Sequence, residues 1–201
     1  MSVGAPFRTV ALLGRDGGLA LLRDGLLRNN LVDLVGVITH GKLPKAEGGG
    51  ARPEMQLYES VCAESNVPLT VLDGSEAKQL EKHLPRDLDL LVVLSWRFIL
   101  APAVFKTPRL GALNLHRGAL PEFAGAEPVR RAVEAGETRT AITAHKMVEK
   151  VDMGPEVARV WLDLPPPPPN TVSAEYAEVI KKKLLGLYGS LARTAIKALA
   201  A

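Results

Sequence analysis

Short apolar runs, bounded by glycine, proline and polar residues, set out an alternation of strands and helices from the N-terminus. Arg8–Leu13 (RTVALL), Val32–Thr39 (VDLVGVIT) and Asp89–Ser95 (DLLVVLS) have the continuous apolar, β-branched character of strands buried on both faces. Pro68–Leu72 predicts a further short strand. Apolar residues at helical spacing predict helices over Leu19–Leu27, Glu54–Asn66 and Ser75–Leu84, the last with Ser75 as a candidate N-cap. Gly14–Gly18 reads as a break between the first strand and its helix. His40–Pro53, rich in Gly, Lys and Pro, reads as a surface loop. Strands alternating with helices at these lengths imply a parallel sheet, with right-handed crossovers placing helices on both faces.

The texture changes in the second half. Gly111–His116 predicts a strand and Glu127–Glu134 a helix. Arg139–Met147 and Glu156–Leu164 predict two strands joined by a short loop, an antiparallel hairpin that closes the sheet. Pro165–Pro169 cannot be helix or strand and reads as a polyproline-type spacer. Thr171–Ala200 follows as one long amphipathic helix, capped by Thr171 or Ser173, with Lys181–Lys183 on a solvated face. The fold class is therefore α/β: a Rossmann-like, mostly parallel twisted sheet flanked by helices, with an antiparallel hairpin at its C-terminal side and a long C-terminal helix. Residues 1–164 form the expected catalytic domain, 165–170 the spacer and 171–201 a helix that docks on the same domain or on a second subunit, which leaves a homodimer open.

Composition narrows the function classes. Of 201 residues 47% are hydrophobic and 23% charged, the balance of a globular rather than a disordered chain. A net charge of +3 and only 4% aromatics argue against a nucleic-acid partner. The single cysteine, Cys62, excludes an intrachain disulfide and a cysteine-cluster metal site, and fits a small apolar helix side chain in a reducing cytoplasm. No run reaches membrane-spanning length, and the N-terminus lacks the pattern of a signal peptide. The four histidines are scattered without metal-ligand spacing, so no metal is expected, and His40 and His83 default to the surface.

Three places could carry chemistry. Gly14-Arg15-Asp16-Gly17-Gly18 sits where a doubly wound sheet holds phosphate, but the G-x-G-x-x-G spacing is absent and a turn that needs glycine explains it equally well. In Asn114-Leu115-His116, period two puts Asn114 and His116 on one face, an amide donor beside a group that carries a proton near neutrality, which suits an oxyanion. Asp152, in Val151-Asp152-Met153-Gly154-Pro155, could orient an imidazole or move a proton, and is also ordinary turn chemistry.

Taken in order, these pieces are more specific. Trp96–Val157 resembles the catalytic domain of the folate-dependent formyltransferases, a group that includes methionyl-tRNA, phosphoribosylglycinamide and sugar-nucleotide N-formyltransferases. The resemblance rests on Asn114-Leu115-His116, Leu120-Pro121, Gly125, Thr143-Ala144-His145 and Asp152-Met153-Gly154, and extends more loosely from about Arg8 to Val160. It implies Asn114, His116 and Asp152 as the catalytic trio and 10-formyltetrahydrofolate as the formyl donor, with no metal. It also implies folate held along Arg97, Phe98, Ile99 and Leu100 and along Met147, Val148 and Val151. A small-molecule amine acceptor would lie near Gly14, Arg15, Gly118, Leu120 and Pro121. His145 is expected as structural support.

The chain departs from that pattern at Gly118 and Ala119, where the family loop usually carries a serine, and at Ala124, often arginine. Against a ribonucleotide acceptor stands Gly14–Gly18, which lacks the Gly-Asn-Gly-Ser-Asn phosphate loop. Against a tRNA acceptor stands the expectation that no barrel domain follows Leu164. Thr39-His40, Arg52–Pro68 and HKMVEKVDMG most resemble the sugar-nucleotide enzymes. A formyl-folate hydrolase and a catalytically silent folate-binding module are the remaining alternatives.

Overall fold

The computed structural model describes residues 5–201. Its strands are β1 (Phe7–Leu13), β2 (Val32–Thr39), β3 (Leu69–Val71), β4 (Leu90–Leu94), β5 (Ala112–His116), β6 (Arg139–Lys146) and β7 (Glu156–Asp163). They form one sheet in the order β3-β2-β1-β4-β5-β6-β7. β1 pairs in parallel with β2 and β4, as do β2 with β3 and β4 with β5. β6 and β7 close the sheet as the expected antiparallel hairpin.

Period two along the strands divides the core into two layers. Ala11, Leu13, Val37, Leu90, Val92, Leu94, Leu113 and Leu115 face one layer. Val10, Leu12, Ile38, Leu91 and Val93 face the other, against Leu80, Val104 and Phe105. Every residue of β4 is buried, because helices cover both faces of a central parallel strand.

The helices are α1 (Arg15–Leu21), α2 (Met55–Glu64), α3 (Pro102–Lys106), α4 (Pro128–Glu134), α5 (Ser173–Leu184) and α6 (Tyr188–Leu199). α1 starts at Arg15, not at Leu19, and continues through a wide π-type turn over Leu22–Leu26. The glycines do not break it; they admit neighbours. A methyl group on Gly18 would stand 2.3 Å from the Tyr58 hydroxyl oxygen, and one on Gly17 3.2 Å from the Tyr188 ring. Glu76–His83 is 3₁₀-type, interrupted at Gln79, and Ser75 makes no capping bond. The C-terminal helix is two α segments joined by a tight turn at Leu185–Leu187 around Gly186, and neither Thr171 nor Ser173 caps it. Its apolar side chains, among them Ile180, Leu184, Leu191 and Ile196, share the core layer of β1 and β4. α3, opened by Pro102 at its first turn, has too few residues for a periodic signal.

Candidate active site

β5 runs Leu113 and Leu115 into the core, so Ala112, Asn114 and His116 point to the opposite face. β6 lies antiparallel to it with Asn114 opposite His145 and His116 opposite Thr143. This register brings the two motif strands together side chain to side chain. The turn after β6 then folds back and delivers Asp152, at φ 55°, between them.

Asp152 is the hub. Its Oδ2 accepts a hydrogen bond from the Gly125 amide at 2.9 Å and lies 3.3 Å from His116 Nδ1. Its Oδ1 lies 3.4 Å from Asn114 Nδ2 and 3.5 Å from His145 Nε2. His116 Nε2 donates to the Phe123 carbonyl at 2.8 Å, because a carbonyl can only accept. Its other nitrogen faces the Asp152 carboxylate, so both ring nitrogens are engaged when the ring is protonated. His145 Nδ1 donates to the Lys146 carbonyl at 3.1 Å, which leaves Nε2 bare to accept from the Asn114 amide at 3.0 Å.

Burial pulls the His116 pKa below its ordinary value, against the opposing pull of the Asp152 charge and the Phe123 carbonyl. For Asp152 burial acts upward, but the His116 charge and the Gly125 amide pull the other way, and the carboxyl is held low. The site therefore keeps a carboxylate beside an imidazole whose neutral form is favoured by burial.

His40 is buried rather than at the surface, 3% exposed, stacked on Trp96 at 4.0 Å with Nδ1 against the Leu72 carbonyl. Burial lowers its pKa too, helped by Arg97 and Arg52. Both histidines thus stay neutral in the fold at pH values where the unfolded chain takes up protons. Stability is fully present above about pH 6.5 and falls as the pH drops below it. We expect the melting temperature to decline from pH 7 to pH 5. A His40→Gln, His116→Gln double variant should flatten that decline in a pH series of thermal melts.

A cavity of about 480 Å³ opens over the trio, within the range of small-molecule sites. Arg97, Phe98, Ile99 and Leu100 line it, as do Met147, Val148 and Val151. Gly118 and Leu120 are buried under the loop after His116, Pro121 is exposed, and none of the three lines the cavity. Gly14 and Arg15 line a separate recess nearby. Among the described residues no cluster of three metal-ligating side chains occurs, and no helix is long and apolar enough to cross a membrane. His83 is exposed, and Lys181 is drawn into ion pairs with Glu127 and Glu178.

The family model described as "Formyl transferase" matches residues 9–185. The chain belongs to the formyl transferase family. It is 32% identical over 148 residues to the methionyl-tRNA formyltransferase of Thermotoga maritima, covering 73% of this chain and 46% of that protein. It is 34% identical over 132 residues to that of Pseudomonas fluorescens, covering 64% and 40%. The chain thus spans about half the length of the curated relatives it matches, or less. In fold it is similar to glycinamide ribonucleotide transformylase 1 from Symbiobacterium toebii (TM-score 0.73, 18% identity, 98% of this chain and 89% of that one). It is also similar to a formyltetrahydrofolate deformylase from Pseudomonas putida KT2440 (TM-score 0.62, 18% identity, 98% and 66%).

Gly118 is tightly enclosed by its neighbours. A methyl group on Gly118 would meet Pro128 Cβ at 2.7 Å and both His116 Nε2 and the Phe123 carbonyl oxygen at 3.0 Å. Gly118→Ala should therefore destabilise the fold by about 1–3 kcal/mol in denaturant titrations. It should also lower turnover, because the groups displaced are His116 and its partner.

Several site members left little trace in sequence. Thr143 donates to the Gly118 carbonyl at 2.8 Å and so pins the loop after His116; its only signal was its place two residues before His145. The Gly125 amide and the Phe123 carbonyl are backbone groups with no side-chain signature.

Proposed function

We propose that this chain transfers a formyl group from 10-formyltetrahydrofolate to a primary amine. The observation that carries the reading is the Asn114–His116–Asp152 triangle at the floor of an open cavity. The cavity fits the donor: Phe98, Leu100, Phe105 and Met147 offer apolar walls, and Arg97 and Ile99 also line it. When bound there, the folate supplies the formyl carbon and N10 as the leaving nitrogen.

The residues then act on atoms that change charge. As the amine nitrogen bonds to the formyl carbon, negative charge develops on the formyl oxygen. The imidazolium of His116 and the Asn114 amide donate to it, a contribution on the order of a hundredfold per donor. His116 reaches that oxygen once Nε2 releases the Phe123 carbonyl, which requires the segment between Gly118 and Gly125 to shift. Asn114 frees one N–H by giving up its long contact with Asp152. Asp152 holds the imidazolium and takes the amine proton, directly or through water. The carbon–N10 bond breaks, and N10 leaves carrying a proton.

The acceptor in this reading is a small primary amine, with an amino-sugar nucleotide favoured by the likeness of Thr39-His40, Arg52–Pro68 and His145–Gly154 to the sugar-nucleotide enzymes. The identity to the methionyl-tRNA formyltransferases favours charged initiator tRNA as a second reading. An amine panel with 10-formyltetrahydrofolate separates them: dTDP- and UDP-linked amino sugars, glycinamide ribonucleotide and charged initiator tRNA. Turnover is expected with an amino-sugar nucleotide. Turnover confined to the ribonucleotide or the tRNA would overturn that acceptor, and folate release without any amine would indicate hydrolysis.

A further inference from the structure

β7 is one end of the sheet. β6 covers one of its edges, and among the described residues nothing hydrogen-bonds the backbone of the other. An open edge is a template for a further strand, and proteins that keep an edge unpaired blunt it with proline, lysine or a bulge. β7 contains neither proline nor lysine, and its one irregularity lies at its start, opposite Ala144 and His145.

The ladder fixes which groups face outward. The Leu164 amide bonds the Thr138 carbonyl at 2.8 Å. The residues in step with Leu164, which are Leu162 and Val160, therefore turn their backbone groups towards β6. The alternate residues Arg159, Trp161 and Asp163 turn their N–H and C=O groups to the free edge. Their side chains also share one face. Trp161 is 40% exposed, with the Arg139 guanidinium 4.0 Å and the Arg159 guanidinium 5.2 Å from its ring centroid. Asp163 is exposed and in no ion pair among the described residues. On the other face Val160 and Leu162 pack on the core but stay partly exposed. Tryptophan and arginine are the side chains most enriched at protein interfaces.

The order of these residues favours one partner. Arg159-Val160-Trp161-Leu162-Asp163 reads cation, apolar, aromatic, apolar, anion. Laid antiparallel on a copy of itself about a two-fold axis at Trp161, each Arg159 meets an Asp163, each Val160 meets a Leu162, and Trp161 meets its own copy. Each pair of outward-facing residues then exchanges two backbone hydrogen bonds. Moving the axis to Val160 sets Arg159 against Trp161 and Asp163 against Val157. Moving it to Leu162 sets Trp161 against Asp163 and Arg159 against Pro165, which has no N–H to give. Of these three registers, the one centred on Trp161 alone places opposite charges face to face, where they stabilise a strand pair.

We propose that β7 is the interface of a homodimer, in which two copies pair antiparallel about a two-fold axis at Trp161 and their sheets join into one. The same patch meets itself, as a two-fold interface requires. Arg159 also donates to the Leu120 carbonyl, so the interface is continuous with the loop that follows His116. The proposal stands independently of the formyl-transfer reading.

Sedimentation velocity of the full chain, over a hundredfold range of concentration up to about 100 μM, tests it. A monomer–dimer equilibrium is expected. Asp163→Arg sets two arginines face to face and should weaken the dimer about tenfold or more, and Arg159→Asp should do the same with two carboxylates. An equimolar mixture of these two variants restores both opposite-charge pairs and should dimerise again. Val71→Lys on the other edge strand, β3, and Val179→Lys on α5 should leave the equilibrium unchanged. If circular dichroism shows that Arg159→Asp does not fold, Trp161→Pro takes its place. That variant removes an outward N–H and no bond to β6, so the dimer should be lost while the chain stays folded. A chain that is monomeric throughout, a dimer indifferent to Asp163→Arg, or a dimer dispersed by Val71→Lys or Val179→Lys instead would overturn the proposal. So would a mixture of folded Asp163→Arg and Arg159→Asp chains that stays monomeric.

Discussion

Asp152→Asn should lower formyl transfer by about a thousandfold while leaving a folded protein. The substitution keeps the size of the side chain and removes the charge on which four contacts converge. Asp152 faces His116 at 3.3 Å, Asn114 at 3.4 Å and His145 at 3.5 Å, and accepts from the Gly125 amide at 2.9 Å. An asparagine that turns its oxygen to Gly125 presents its NH2 group to the Asn114 amide, where a donor meets another donor. It also withdraws the carboxylate that counteracts burial at His116, so the imidazole pKa drops further. The effect should fall on kcat far more than on the KM for folate, and the basic limb of the pH–rate profile, set by loss of the His116 imidazolium proton, should move to lower pH. Single-turnover rates from pH 5 to pH 9 measure both. A turnover within a few-fold of the parent would remove Asp152 from the chemistry.

Gly154→Ala should act through the backbone instead. A methyl group on Gly154 would lie 1.7 Å from the Lys146 carbonyl oxygen and 2.8 Å from its carbon. No side-chain rotation relieves a clash between main-chain atoms, so the Lys146–Gly154 turn must open. That turn carries Asp152, and the Lys146 carbonyl is the acceptor that sets the His145 tautomer. The expected loss is about 3 kcal/mol or more of stability, a fall of roughly 6–12 °C in melting temperature for a chain of this size. Formyl transfer should fall with it, even at temperatures where the variant stays folded. Thermal melts paired with activity at 20 °C separate the two effects.

The parts of the molecule legible in sequence are those governed by local periodicity. Continuous apolar runs identified β1, β2 and β4, and alternation set Asn114 and His116 on one face. The structure shows why that alternation matters: the same period on β6 points Thr143 and His145 at β5 across an antiparallel register. What escaped was decided by partners distant in the chain. Gly17 and Gly18 look like a chain break, yet they sit inside α1 because Tyr58 and Tyr188 pack on them. His40 looks like a loop residue, yet it is buried against Trp96, which lies 56 positions away in the numbering. Arg52 reads as one more loop cation until its guanidinium is seen buried under Thr39 and His40. The hydrogen bonds from His116 to the Phe123 carbonyl and from Gly125 to Asp152 use main-chain atoms, which no residue type announces.

The central claim is that the trio moves a formyl carbon from folate nitrogen to amine nitrogen. Carbon-13 spectroscopy of a reaction with formyl-labelled 10-formyltetrahydrofolate and an amino-sugar nucleotide follows that carbon directly. The label should leave the folate and appear as a formamide on the sugar amine, in step with tetrahydrofolate, and should stay on the folate in the Asp152→Asn variant. Label that remains on the folate with the parent protein, or that emerges as free formate whether or not the amine is present, would contradict it.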